Sequence, residues 1–370
     1  VPNLRFPGFT EEWEEKMLGD VAPLQRGFDL PVDNIKKGLY PVVFSNGILK
    51  FHNAFKVKGP GVVTGRSGTI GKVNFVDNDY WPHNTSLWVT DFKGNIPKYI
   101  FYFYSKYNLE RFGTGSGVPT LNRNDVHIQK EYFPLPVEQE KIASFLSVLD
   151  QRIQTQNKII EELDVLKNVF SQRIFSQELR FQDNNGSNYP DWETKKLKEV
   201  CDINPKIKNI PNSFYYIDLE SVVSGRLLKE NRILKDEAPS RAQRFLEKND
   251  VLFQMVRPYQ KNNLFFNKDG EYVASTGYAQ IRTKQNSQFI FQYLHNQRFV
   301  DKVIERCTGT SYPAISSTDL GNIEIDYPGL AEQIKIADFL LSVDKKNDIE
   351  TKLLKKLEEQ KKFLLQQMFI

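Results

Sequence analysis

Catalytic chemistry needs particular residue types at particular spacings, and the stretches of this chain that come nearest fall short. Gly65-Arg66-Ser67-Gly68-Thr69-Ile70-Gly71-Lys72 mimics a phosphate-binding loop, but its spacing is one residue too long. Val73 also stands where Ser or Thr would hold magnesium. Gly113-x-Gly115-x-Gly117 has the glycines of a nucleotide loop, yet such a fingerprint follows a strand and opens a helix. This one follows a helical pattern, and its second copy keeps only Gly309, so it reads as a hinge or a ligand-facing loop. The motif of amino-methyltransferases, Asn-Pro-Pro-Tyr, is absent. His52, His83, His127 and His295 form no metal-spaced pair and read as surface or satisfied core residues. Nothing in the spacing of Asp and Glu favours a nuclease.

Another chemistry fits the polar loops better. Reading base edges needs Arg or Lys for guanine and Asn or Gln for adenine, while phosphates take Lys, Arg, Ser, Thr or backbone N–H groups. The first half of the chain offers Lys58, Arg66, Ser67, Thr69, Lys72, His83, Asn84, Thr85 and Ser86. The second half offers Arg257, Tyr259, Gln260, Lys261, Asn262, Asn263, Ser275 and Thr276. Two Pro-centred loops add Ser116, Thr120, Asn122 and Arg123, then Thr310, Ser311, Tyr312, Ser316 and Ser317. A solvated loop position accounts equally well for any one of them; as clusters they point to DNA. Glycine beside Arg66, and Gly277 after Ser275-Thr276, would let the backbone approach a duplex.

Composition sets the frame. At 370 residues, with 40% hydrophobic, 26% charged and 13% aromatic residues, the chain is that of a globular protein of two or more domains. No apolar run approaches the roughly 18–20 residues that cross a bilayer, and the start lacks the pattern of a signal peptide. A first residue of Val suggests that residues ahead of it have been lost. The cysteines, Cys201 and Cys307, lie too far apart for a Cys-x-x-Cys site. A cytoplasmic location follows as the expectation. The net charge of +4 permits a nucleic-acid partner without demanding one.

The chain is written twice. Gly115-Ser-Gly-Val-Pro119 through Asp125-Val126 matches Gly309-Thr-Ser-Tyr-Pro313 through Asp319-Leu320. At the same offset, Glu138-Gln139-x-Lys-Ile-Ala-x-Phe-Leu146 matches Glu332-Gln333-x-Lys-Ile-Ala-x-Phe-Leu340. The opening segments Leu4-Arg5-Phe6, Trp13 and Leu18-x-x-Val21 return as Leu179-Arg180-Phe181, Trp192 and Leu197-x-x-Val200. Tyr99-Ile-Phe101 returns as Phe289-Ile-Phe291. The bodies between, about 22–98 and 201–288, do not resemble each other. Matched frames around unlike inserts imply two modules doing one job on different targets.

Each body carries short β-branched or aromatic runs between Gly, Asn and Asp turns, such as Tyr40–Phe44, Ser86–Val89, Phe214–Asp218 and Tyr278–Arg282. Each ends in an amphipathic helix, near Pro97–Arg111 and Gln288–Arg306. From Val137 to Ser176 neither Pro nor Gly occurs. Ile142, Leu146, Leu149, Ile153, Ile160, Leu163 and Phe170 form a coiled-coil ladder with polar rungs at Gln156 and Lys167. Its second copy has Ile336, Leu340, Val343, Leu354, Leu357 and Leu364, with Asn347, Glu350 and Lys361 as polar rungs. A helix of that length is a rod of roughly 60 Å. Two in one chain pair most simply as an antiparallel coiled coil; two separate surface helices are the alternative.

With the paired Glu-Gln blocks in place, the chain resembles the specificity subunits of type I restriction–modification systems. Phe133-Pro-Leu-Pro before Glu138 and Tyr327-Pro-Gly-Leu before Glu332 look like the lead into that family's conserved helices. Leu4-Arg-Phe-Pro-Gly-Phe-x-x-x-Trp13 resembles its opening, and Gly65–Gly71 and Asn249–Phe253 resemble pieces of its recognition domains. The resemblance covers essentially the whole chain. It implies an α+β fold: two mixed α/β target-recognition domains separated by two long conserved helices that form an antiparallel coiled coil, duplicated with pseudo-twofold symmetry. The expected boundaries are 1–136 and 179–326 for the recognition domains, with 137–178 and 327–370 for the helical spacers. It implies that each domain reads half of a split site in double-stranded DNA; two bodies reading the same face of the duplex should then have half-site centres about one helical turn, roughly 10 bp, apart. It implies two methyltransferase and two restriction subunits as partners, with no membrane involved. Those partners would carry adenine-N6 methylation and ATP-dependent DNA cleavage, and with them AdoMet, ATP and Mg; this chain would hold no cofactor and have no catalytic residue. Two other readings remain: a fused restriction or methylation enzyme that recognises two half-sites, and a coiled-coil protein adaptor.

Overall fold

The computed structural model describes residues 2–115, 117–206, 209–223, 225–309 and 311–370. They form two compact units. The first runs to Lys158 and takes in Lys352–Ile370; the second is Ile159–Thr351. Both are mixed α/β.

In the first unit, Leu24–Arg26, Ser86–Val89, Gly61–Gly65 and Val73–Val76 form an antiparallel sheet in that order. The run Gly61-Val-Val-Thr-Gly65 is buried throughout, which suits a central strand. A second sheet orders Gly47–His52, Tyr40–Phe44 and Trp81–Pro82. The helix Pro97–Lys106 opens on proline, which needs no N–H partner there. It lies against the strands Gly61–Gly65 and Val73–Val76 and buries Tyr99, Ile100, Tyr102, Phe103 and Tyr104.

The second unit repeats this frame. Asp202–Ile203, Tyr278–Arg282, Val251–Gln254 and Leu264–Phe265 form its antiparallel sheet. Its other sheet differs, with four strands ordered Asn231–Leu234, Ser213–Ile217, Tyr272–Ser275 and Ala242–Phe245. The single helix expected near Gln288–Arg306 is two helices, Ser287–His295 and Gln297–Ile304. Asn296 sits between them in an extended conformation, and its side chain accepts from Arg298 N. A short amide that can cap a new helix competes with continuing the old one.

The two long helices are Pro136–Phe175 and Leu330–Gln367. In the first unit, Asp150 pairs with Lys361 and accepts from Tyr102 OH at 2.6 Å. In the second, Asp164 accepts from Asn347, Lys167 pairs with Asp344, and Phe170 meets the edge of Phe339. Positions that rise along one helix meet positions that fall along the other, so the helices run antiparallel. Of the ladder residues along the seam, Ile142, Leu146, Ile336, Leu340 and Leu357 are buried, the first two in the core of the first unit and the next two in that of the second. Three of the polar rungs, Lys167, Asn347 and Lys361, pair across it.

The ends of the helices complete the cores, a role absent from the ladder. Ile174 and Phe175 join the core of the second unit, where Phe175 meets Phe289 and Tyr293. Met368 and Phe369 do the same in the first, where Phe369 packs 5.1 Å from Tyr99.

One charged contact recurs in both units. Glu138, 2% exposed, accepts from Arg5 Nε at 2.8 Å, Arg5 Nη2 at 2.7 Å and Trp13 Nε1 at 3.3 Å. Glu332, fully buried, accepts from Arg180 Nε at 3.2 Å, Arg180 Nη2 at 2.8 Å and Trp192 Nε1 at 2.9 Å. Each Glu lies in the first turn of a long helix, where a negative charge also favours the helix dipole. The neighbouring glutamines close the same corner. Gln139 accepts from Ile96 N and donates to Pro134 O and Asn95 Oδ1; Gln333 donates to Pro328 O and Gln285 Oε1. The Glu-Gln block is thus a structural clamp. Glu332→Gln removes the charge that Arg180 needs and lowers the unfolding temperature, whereas Glu140→Gln, at an exposed site of the first long helix, leaves it nearly unchanged. Thermal unfolding of the two variants checks this.

Candidate nucleic-acid interface

In the first unit, three of the polar loops come together by backbone bonds. Arg66 N and Ser67 N donate to Thr85 O at 2.9 and 3.1 Å. Gly68 N donates to Pro119 O at 3.1 Å, and Leu121 N donates to Arg66 O at 2.8 Å. The first loop is closed at its base by Gly65 N donating to Lys72 O. A Cβ on Gly65 would lie 1.8 Å from Thr69 O and 2.6 Å from Ser45 O, so only glycine lets the segments approach this closely.

The side chains there divide into those that hold the loops and those that reach the surface, although Arg66 Nη1 also donates to Asn84 O at 3.5 Å and Thr120 Oγ1 to Val118 O at 3.4 Å. Thr85 Oγ1 accepts from Ser45 N and contacts His83 Nδ1 at 2.9 Å. His83 Nε2 reaches Leu30 O, and burial lowers the histidine's pKa below its usual value. Asn84 donates to Asp29, and Lys72 Nζ donates to Asn46 O at 2.7 Å. Ser86 is buried, with its hydroxyl on Val43 O and His83 O. Asn122 caps the short helix Arg123–His127 by accepting from Asn124 N. Thr69 and Arg123 are exposed, while Arg66, Ser67 and Thr120 are half-buried. Lys58 is exposed before the far end of the Gly61–Gly65 strand and does not join the cluster. Ser116 and Thr310 lie outside the described residues.

The second unit laces the corresponding loops in the same way. Met255 N donates to Gly277 O, Ile315 N to Met255 O, and Arg257 N to Pro313 O at 2.8 Å. Buried Gln254 shapes the first of these loops from within. Its Nε2 donates to Val256 O at 2.7 Å and Gln260 Oε1 at 2.9 Å, and its Oε1 accepts from Asn262 N. Asn263, 1% exposed, accepts from Gln254 N, so it holds the loop instead of presenting itself. Ser275 is buried too and accepts from Gly277 N, while Thr276 is half-buried. Ser316 caps the short helix Ser317–Gly321 through Asp319 N. Tyr259, Gln260, Ser311 and Tyr312 are exposed. Arg257 lies over the Tyr312 ring, its Cζ 4.2 Å from the centroid. Sequence reasoning misses Gln254, because its place at the end of the strand Val251–Gln254 gives no local signal.

Gln260 and Lys261 also line a cleft of about 1020 Å³ in the second unit, floored by Leu264, Phe265 and Phe291. Lys261 Nζ donates to Gln297 Oε1, and burial lowers its pKa. Among the described residues, no three His, Cys, Asp or Glu side chains gather as metal ligands. No helix of the described residues is long and apolar enough to cross a membrane.

The family model of the type I restriction modification DNA specificity domain matches residues 10–165 and again 189–359. The type I restriction enzyme MjaVIII specificity subunit of Methanocaldococcus jannaschii is 27% identical over 309 residues, 74% of this chain and 70% of that protein. The EcoDI specificity subunit of Escherichia coli is 24% identical over 256 residues, 60% of this chain and 57% of that protein. A putative type I specificity subunit of Mycoplasma pneumoniae is 22% identical, covering 91% of this chain and 90% of that one. In fold, the chain is similar to the crystal structure of the type I restriction–modification S subunit from M. genitalium. The TM-score is 0.66 at 18% identity, covering 100% of this chain and 99% of that one.

His295 lines the same cleft and gives the stability of the second unit a pH dependence. It is half-buried, its Nδ1 donates to Phe291 O at 2.8 Å, and desolvation pulls its pKa from 6.5 down to about 4. The folded chain therefore holds a neutral imidazole at pH values where the unfolded chain binds a proton. The stability this contributes is whole above pH 6.5 and is lost as pH falls toward 4, by roughly 3 kcal/mol in all. Chemical denaturation at stepped pH shows that slope in the native chain and a flatter one in His295→Phe.

Proposed function

The chain belongs to the type I restriction–modification DNA specificity family, and from that premise we propose that it recognises a bipartite DNA site, each unit reading one half. The family sets the coarse role, DNA sequence recognition. One observation carries the finer reading. The same three loops are laced by the same pattern of backbone bonds in both units, yet the side chains they offer differ. Arg66, Ser67 and Thr69 stand in the first, Arg257, Tyr259 and Gln260 in the second. Base edges are distinguished by side chains, so one frame with two sets of side chains suits two half-sites of different sequence. The remaining exposed polar residues of these loops suit phosphates.

In this reading the chain does no chemistry itself. Two methyltransferase subunits, with AdoMet, act on adenine-N6, and two restriction subunits, with ATP and Mg, cleave DNA. The long helices set the number of unread base pairs between the half-sites and dock the methyltransferases. Exposed apolar residues on their outer faces support a docking role, among them Phe145, Val148, Val165, Val169 and Ile349. Exposed Lys141, Gln151, Lys158 and Glu162 lie on the first of these helices.

Replacement of residues 22–98 by the corresponding body of another specificity subunit tests the modular part. Sequencing of modified bases in DNA methylated by the hybrid complex should show one half of the motif changed and the other intact. A motif altered in both halves, or in neither, contradicts it.

A further inference from the structure

Arg257 holds a backbone conformation that an arginine rarely takes. Its φ and ψ are both 54°, in the left-handed region, and Pro258 follows it. A side chain there crowds the backbone, and a following proline narrows the choice further. The repeat shows what the frame itself requires. In the first unit the residue that donates the matching bond, to Pro119 O, is Gly68, with φ +83° and open space where a Cβ would sit. Glycine meets that geometry without strain; in the second unit arginine occupies it instead. Strain retained at one copy of a repeated turn marks a side chain that is wanted for itself.

The surroundings of that side chain say what for. Among the described residues, Arg257 makes no ion pair, and its buried Nε has no hydrogen-bond partner. The guanidinium lies over the ring of Tyr312, a residue 65% exposed. Attraction to the ring at 4.2 Å restricts where the fork can turn. A phosphate can be met by a charge on a flexible stem, but a guanine edge needs two coplanar donors for O6 and N7.

We infer that Arg257, stacked on Tyr312, reads a guanine in the half-site of the second unit. The inference rests on the bipartite reading above and adds a base and a residue pair to it. The stacked ring sets the angle of the fork, and the strained backbone carries the arginine to a place where glycine would suffice for the fold.

The test uses the complex with its methyltransferase subunits and compares the native chain with Arg257→Gly, Arg257→Lys, Tyr312→Phe and Tyr312→Ala. Unfolding temperature and methylation of DNA carrying each single-base change are measured. Arg257→Gly should unfold at the same or a higher temperature while losing about tenfold or more of the discrimination at one G·C pair. Arg257→Lys keeps the charge without the fork and should relax the same position. Tyr312→Phe should keep the native motif, and Tyr312→Ala should relax it. An unchanged motif in Arg257→Gly overturns the inference, and so does equal weakening on every DNA, which marks a phosphate contact. A clear fall in the unfolding temperature of Arg257→Gly overturns it as well, since it marks a structural role. In all three cases an intact two-part motif from the native complex leaves the bipartite reading standing; loss of that two-part motif in the native complex removes both.

Discussion

A carboxylate buried at the head of each long helix governs how this chain folds. A buried charge is tolerated only when paired and hydrogen-bonded, and Glu138 and Glu332 each find an arginine fork and a tryptophan N–H. Those partners come from the opening segment of each copy, more than a hundred residues earlier in the chain. The contact therefore ties the first strand of each unit to the helix that leaves it. The short antiparallel pairs Glu14–Met17 with Lys130–Phe133, and Glu193–Lys196 with Glu324–Tyr327, lie beside that knot. Whatever is inserted between them must begin and end at fixed places. This is why two unlike bodies can share one frame.

The candidate interface loops follow the same economy. Their positions are held by backbone donors and acceptors, and by side chains that point inward such as Gln254 and Asn263. Outward side chains carry little of that load, so they can differ between the copies without disturbing the fold. Arg257 departs from this, because its own backbone, like that of Lys261 at the end of the same turn, is in a region its residue type rarely takes. A frame built from main-chain bonds suits the proposal that the two units read different half-sites.

Much of this was legible in the sequence because it is periodic or repeated. The duplication, the strand runs of each body and the apolar ladder all depend on spacing along the chain, and the structure follows them closely. Long-range or purely conformational features were not legible. No local pattern tells Asn296 to end one helix and cap the next in place of staying in a single helix. Met368 and Phe369 look like a frayed end in sequence and are core residues in space. The Glu-Gln block was visible as a family mark, but its partners Arg5, Trp13, Arg180 and Trp192 were seen only as repeated letters. For the candidate interface, residue type identified the loops. It could not separate buried Asn263 and Ser275, or the capping residues Asn122 and Ser316, from exposed Thr69, Arg123 and Tyr259. Amides and hydroxyls that bond the protein's own backbone have the same composition as those that would bond a base.

The central claim is that one frame, used twice, reads two separate blocks of DNA. Its most direct measurement is modified-base sequencing of DNA methylated by the native chain in complex with its methyltransferase subunits. The account predicts two short specified blocks separated by a run of unspecified bases of constant length. A single uninterrupted motif, or methylation without sequence preference, would contradict it.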